Sequence, residues 1–194
     1  GAVYAYFRRM QSFEPMDPAT RPAPLPVLEG RVVNDEPISV EKYLERERAA
    51  VGEKYEYIDG WLIAMTGASL PHNLIVSNIN ALLHNTLRST ECRVTTNDLR
   101  VALPSVDKYA YPDIVVYCGE PELDEEQLDM LYNPTLLMET LSPTTEGYDR
   151  GEKFSRYRQV DTLQEYLLVA QDAPHVEHYV RQDDAGWHFT ETDG

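Results

Sequence analysis

The residues that invite a chemical reading are carboxylates standing where carboxylates are costly. Asp113 follows Pro112 and opens the apolar run Ile-Val-Val-Tyr-Cys at 114–118; a proline at the start of a strand breaks no ladder. Glu139 ends the run Thr-Leu-Leu-Met at 135–138, and the two-residue period of a strand sets it on one face with Leu137 and Leu141. An isolated buried charge is prohibitively costly, so such a carboxylate must be paired, protonated or bound to a cation. Two of them at the ends of two core strands form an oxygen-donor site suited to Mg²⁺, which takes one or two carboxylates and keeps several waters. Lys153 supplies a cation in the helix that follows, with Asp149 at i, i+4 before it. Spacing alone leaves a second reading open, in which Asp113 caps a turn, Glu139 pairs with an arginine and Lys153 is solvated.

The elements that must position these groups are legible in part. Residues 1–37 carry six prolines from Pro15 to Pro37 without a sustained period and read as an extended arm. A single domain is expected over 38–194. Ser39 is placed to cap a short helix through about Ala50. Lys54 to Met65 reads as a hairpin about Asp59-Gly60, the pair that supplies the positive φ values of a two-residue turn. From about Ser69 to Ser89, Leu70, Leu74, Ile75, Ile79, Leu82, Leu83 and Leu87 recur at helical spacing, which predicts an amphipathic helix with one core-facing stripe. Strands are expected near 92–97, 99–103, 111–118, 135–141, 164–170, 175–181 and 186–191, with an acidic loop over 119–133 and a helix from about Tyr148 to Val160. This alternation predicts an α/β (α+β) fold with a mixed central sheet flanked by helices.

Composition restricts the function. The chain has 194 residues, 42% hydrophobic and 26% charged, which is enough for a buried core. No apolar run is long enough to span a bilayer and no leader-like pattern opens the chain, so no membrane association is expected. Cys92 and Cys118 suggest no disulfide framework and suit a reducing cytoplasm. The net charge of −16 predicts weak non-specific nucleic-acid binding. Local exceptions would be Arg88, Arg93, Arg100 and Lys108, and the denser group Arg150, Lys153, Arg156 and Arg158. The C-terminal strands and the Pro-rich arm offer surfaces for a homodimer.

Four motifs in order resemble the Uma-two family: Tyr-Glu-Tyr-Ile-Asp-Gly (55–60), Tyr-Pro-Asp-Ile-Val-Val (111–116), Glu-Thr-Leu-Ser-Pro-Thr-Thr-Glu (139–146) and Tyr-Asp-Arg-Gly-Glu-Lys-Phe (148–154), followed by Gln-Glu-Tyr-Leu-Leu-Val (164–169). The resemblance covers about residues 39 to 183. It implies a restriction-endonuclease-like fold of the PD-(D/E)XK nuclease superfamily and cleavage of DNA phosphodiesters with Mg²⁺, for which Mn²⁺ would substitute. The implied site is Asp113, Glu139 and Lys153, with Glu56 as a further metal-site acid and the Thr140 carbonyl completing the metal shell. One departure matters: the superfamily lysine stands two residues after the strand acid, and Leu141 occupies that position here. Lys153 on the following helix is the implied replacement.

Other residues are assigned ordinary roles. Glu56 shares a face with Ile58 and reads equally as a cross-strand partner. His72 is expected to solvate the start of its helix rather than to meet a phosphate. His84, His175, His178 and His188 have no metal-ligand spacing with the cysteines. Asp98 fits a turn, Tyr148 and Arg150 fit packing and solubility, and Ser142 lies in no Gly-x-Ser-x-Gly pattern. Two rivals to an active nuclease remain: a nuclease-fold binding module without turnover, favoured by the acidic surface, and a glycosidase-like carboxylate pair.

Overall fold

The structure is a computed structural model that describes residues 32–193, apart from 66, 97, 144, 184 and 185. Most of the Pro-rich arm lies outside the described residues. Its last stretch runs along the first hairpin, where the Asn34 amide donates to the Gly60 carbonyl (2.9 Å) and its Oδ1 accepts from the Leu62 amide (2.7 Å).

Helix α1 (Val40–Ala49) is capped by Ser39, whose hydroxyl accepts from the Lys42 amide. Strands β1 (Tyr55–Ile58) and β2 (Trp61–Ala64) form the expected hairpin, with Asp59 and Gly60 both at positive φ. Helix α2 (Leu70–Leu87) is capped by Ser69. Then come β3 (Cys92–Thr96), β4 (Arg100–Leu103), β5 (Lys108–Ala110), β6 (Ile114–Cys118), β7 (Met130–Leu131) and β8 (Leu136–Leu141). Helix α3 (Glu146–Tyr148) passes through a π-helical turn (Asp149–Lys153) into α4 (Phe154–Tyr157). Strands β9 (Glu165–Ala170), β10 (His175–Arg181) and β11 (Trp187–Asp193) complete the chain.

The α+β class expected from the alternation of elements is the one observed, but the strands form two mixed sheets. One is ordered β2-β1-β5-β4-β7 and the other β11-β10-β9-β8-β6-β3. Short β5 and β7 escape a pattern reading because three and two residues do not establish a period. In the six-stranded sheet, β8 is parallel to β9 and antiparallel to β6. Its two faces bury different clusters. Val115, Leu137 and Leu141 pack with Phe154, Tyr157 and Tyr166 on the α4 side. Ile114, Val116, Leu136 and Met138 pack under α2 with Val76, Ile75, Ile79, Leu83 and Leu87.

Two expectations need correction. Cys92 and Cys118 stand directly opposite in the β3–β6 ladder and are joined in a disulfide, so the argument from free thiols for a reducing cytoplasm is withdrawn. The seven apolar positions of α2 do not form one stripe. At 100° per residue they occupy most of the helix circumference, and Leu70, Leu74 and Leu82 face outward at 71%, 53% and 65% exposure. Among the described residues, no helix is long and apolar enough to cross a membrane.

Candidate functional site

The ladder between β6 and β8 ends at Ile114 opposite Met138. One residue beyond lie Asp113 and Glu139, and the Thr140 amide donates to Asp113 Oδ2 (2.7 Å). The two acids therefore stand on adjacent chain segments just beyond the end of the β6–β8 ladder. Both line one cavity of about 880 Å³ that also takes in Glu56 from β1 and Lys153 from the π turn. The structure thus brings Asp113, Glu139, Thr140, Glu56 and Lys153 to one cavity.

Lys153 is buried, with Nζ 2.7 Å from Glu139 Oε1 and 3.2 Å from Asp149 Oδ1. The π turn carries the lysine to the strand acid, while Leu141, which holds the superfamily's usual lysine position, is buried in the core. Tyr157 also donates to Glu139 Oε1 (3.3 Å). Burial raises the Glu139 pKa to about 8; Lys153 opposes this, and Asp113, Asp149 and Glu56 add repulsion. Burial works against charge on Lys153 too, but Glu139, Asp149 and Glu56 hold its pKa well above that of an ordinary lysine.

Glu56 sits beneath this group. Burial raises its pKa, yet Lys108 and Lys153 together bring it below the usual carboxylate value. Its partner Lys108 is fully buried, 3.4 Å from Glu56 Oε2 and 3.1 Å from the Tyr148 hydroxyl, and burial depresses its ammonium. Sequence reasoning placed Lys108 and Arg100 in a local basic patch. Both are buried: Arg100 donates to Tyr111 and pairs with Asp129. In the second patch, Arg150 is bound to Glu146 and Glu177, and Arg156 to Asp59 and Glu152. The basic groups thus serve largely as internal countercharge. Nothing local in the sequence marked Lys108, because β5 is too short to show a period and its partner Glu56 lies 52 positions away.

Other lining groups were missed or underweighted. His72, expected merely to solvate its helix, has Nε2 3.0 Å from Asp113 Oδ1. Glu47 at the end of α1 accepts from the Tyr111 hydroxyl (2.7 Å) and the Tyr55 amide (3.0 Å). Tyr43 and Glu47, four residues apart, are both buried, which puts this carboxylate on the inner face of α1.

The donor set fits a hard cation of limited protein coordination. Among the described residues no three His, Cys, Asp or Glu side chains converge as an ion cage, and Glu56 is taken up by Lys108. Two adjacent carboxylates with water completing the shell are nevertheless an ordinary Mg²⁺ arrangement. Six acids (Glu47, Glu53, Glu56, Asp113, Glu139 and Asp149) line the cavity against two lysines and His72, an excess of negative charge that suits a cation.

A family model described as "Putative restriction endonuclease" matches residues 40–194. The chain belongs to the Uma2 family. Two uncharacterized Synechocystis proteins are similar to it. One is 36% identical over 157 residues, covering 81% of this chain and 88% of that protein. The other is 37% identical over 153 residues, covering 77% of each. A solved structure, "a putative nuclease belonging to DUF820" from Anabaena variabilis, matches with a TM-score of 0.63 at 20% identity, over 81% of this chain and 86% of that one. At that identity the likeness concerns the fold, which is therefore nuclease-like.

Proposed function

We infer that this Uma2 chain is a metal-dependent endonuclease that hydrolyses phosphodiester bonds of DNA. The observation that supports the reading best is the adjacency of Asp113 and Glu139 at one strand end, with the Lys153 ammonium on Glu139. Asp113 and Glu139, with the Thr140 carbonyl, would hold Mg²⁺ or Mn²⁺. Bound there, the ion would activate water and neutralise charge on the scissile phosphate.

The chain's own groups have separable tasks. Lys153 stays cationic in its buried position and can orient the attacking water or neutralise charge developing on phosphate oxygens. The Thr140 amide and His72 fix the Asp113 carboxylate. The Glu56–Lys108 pair sets the charge beneath Glu139. Tyr157 and Asp149 hold the Glu139–Lys153 pair from the helical side.

The test is cleavage of plasmid and single-stranded DNA with Mg²⁺ or Mn²⁺ by the wild type and by Asp113→Ala. Metal-dependent cleavage lost in the variant supports the reading; cleavage that survives removes Asp113 from the site. The second reading, a nuclease-fold binding module without turnover, is favoured by the engagement of Arg150, Lys153 and Arg156 with internal acids. Calorimetric Mg²⁺ uptake without cleavage of any DNA form would select it.

A further inference from the structure

The lysine of the site is carried by the π-helical turn Asp149–Lys153. Backbone N–H groups in such a turn reach one residue further back than in an α-helix, so the turn holds an extra residue. Its effect shows in the burial pattern. Tyr148 and Asp149 are buried, and the next buried pair is Lys153 and Phe154, five residues on. An α-helix returns to the same face after three or four residues, which would centre the next turn on Glu152 and Lys153. The added residue turns Glu152 aside, where it pairs with Arg156, and centres the face on Lys153 and Phe154. Lys153 thereby reaches Glu139 Oε1 (2.7 Å), and Phe154 stacks on Tyr166 with ring centroids 5.6 Å apart.

A π turn is rare, and unfavourable local conformations persist only where the surroundings fix them. Two contacts from the six-stranded sheet fall on adjacent residues of this turn. Tyr166 on β9, fully buried, donates its hydroxyl to the Asp149 carbonyl (3.2 Å). Arg150 Nε donates to Glu177 Oε1 (2.6 Å) on β10, and Glu177 Oε2 accepts from the Tyr179 hydroxyl (3.0 Å). Tyr166 and Tyr179 are direct partners in the β9–β10 ladder, so one rung of the sheet serves both anchors. Of the two, Tyr166 acts on the backbone itself, at the residue whose side chain pairs with Lys153 (3.2 Å).

We propose that Tyr166 is a positioning residue of the site: its hydroxyl holds the π turn that seats Lys153 on Glu139. The catalytic consequence rests on the nuclease reading given above; the placement of Lys153 does not.

The test is Tyr166→Phe in the full chain, which keeps the ring against Phe154 and Tyr157 and removes one oxygen. Lys153 is assigned to charge that develops in the transition state. Its displacement should therefore lower kcat for DNA cleavage in Mg²⁺ by about tenfold to a hundredfold, with KM for DNA within about twofold of wild type. Beside Lys153→Met the same change should leave kcat where it is, because the group it positions is gone. Urea unfolding reads the placement without cleavage. Tyr166→Phe should lower the folding equilibrium constant by a factor about threefold or more larger in the wild-type background than beside Lys153→Met. Lys153→Gln takes the place of Lys153→Met if the latter does not fold. Wild-type kcat in Tyr166→Phe, or an equal factor in both backgrounds of the urea series, would overturn the proposal and leave the nuclease reading standing. A wild type that cleaves no DNA would overturn the nuclease reading instead, and the urea series alone would then decide the placement.

Discussion

Replacing Glu139 with glutamine isolates the proton that the fold holds on this carboxyl. Burial raises its pKa from 4.5 to about 8, with Lys153 opposing and Asp113, Asp149 and Glu56 contributing repulsion. The unfolded chain titrates the same group near its ordinary value. Between these two pH values the folded protein keeps a proton that the unfolded chain has released, so stability falls as pH rises through the window. The slope is about 1.4 kcal/mol per pH unit, and its sum across the window is roughly 5 kcal/mol. Below the unfolded value and above about 8 this group contributes no slope. The amide preserves the shape and can still accept from Lys153, but it does not titrate. Urea unfolding of wild type and Glu139→Gln in EDTA, at half-unit steps from about pH 5 to 8.5, should show the variant gaining several kcal/mol on wild type as pH rises. Mg²⁺ should flatten the wild-type curve, because a bound cation replaces the proton. A stability difference that stays constant within about 0.5 kcal/mol across the window would refute the protonated state. Lys153 would then be the main compensation for the charge.

Removing half of the buried Glu56–Lys108 pair should be severe: Lys108→Met leaves Glu56 with only Lys153 to offset its charge and should cost about 3–5 kcal/mol in chemical denaturation, whereas Glu56→Gln/Lys108→Met should recover most of that loss. Gly60 has φ +88°, and a Cβ there would come within 2.6 Å of the Pro37 Cβ. Gly60→Ala should therefore lower unfolding free energy by about 1–3 kcal/mol, and a melting temperature equal to wild type would disprove the tight approach of residues 37–38 to the hairpin. Reducing the Cys92–Cys118 disulfide, which spans 26 residues, should lower stability by about 3 kcal/mol through the freedom returned to the unfolded chain. Unfolding curves with and without reductant check this, and superimposable curves would count against the cross-link.

How much of this could be read in the sequence depended on whether the signal was local. The Asp59-Gly60 hairpin, the Ser39 and Ser69 caps and the apolar runs into β6 and β8 each lie within a few consecutive residues, and all are found. Asp113 and Glu139 stood out because strand periodicity makes an acid on an apolar face conspicuous at once. Lys108, Arg100 and Glu47 were opaque for the opposite reason. Their partners Glu56, Asp129 and Tyr111 are far away in the sequence, and a charged residue next to a turn looks the same whether it is solvated or buried in an ion pair. His72 was underweighted on the same grounds, since its contact with Asp113 crosses 41 positions. The cysteines escaped because only the β3–β6 register sets them opposite each other. The outward leucines of α2 were assigned to the core because helical spacing alone does not say how wide a face the sheet covers.

The acidity that argues against a nuclease and the acidity of the cavity pose one problem. A phosphodiester approaching six carboxylates meets repulsion unless the site carries countercharge. The fold supplies some of it in two ways: Lys108 lies under Glu56, and Lys153 lies between Glu139 and Asp149. Each is internal, and each is used up in making the acids tolerable. Among the described residues these groups are engaged internally, so under the proposed function much of the affinity for DNA would come from a cation held by Asp113 and Glu139. Under the proposed function, divalent metal is thus needed for substrate binding as well as for chemistry. A chain with a basic groove can hold DNA with its metal removed; under the proposed function, this one would lose DNA binding as well as cleavage when the ion is chelated.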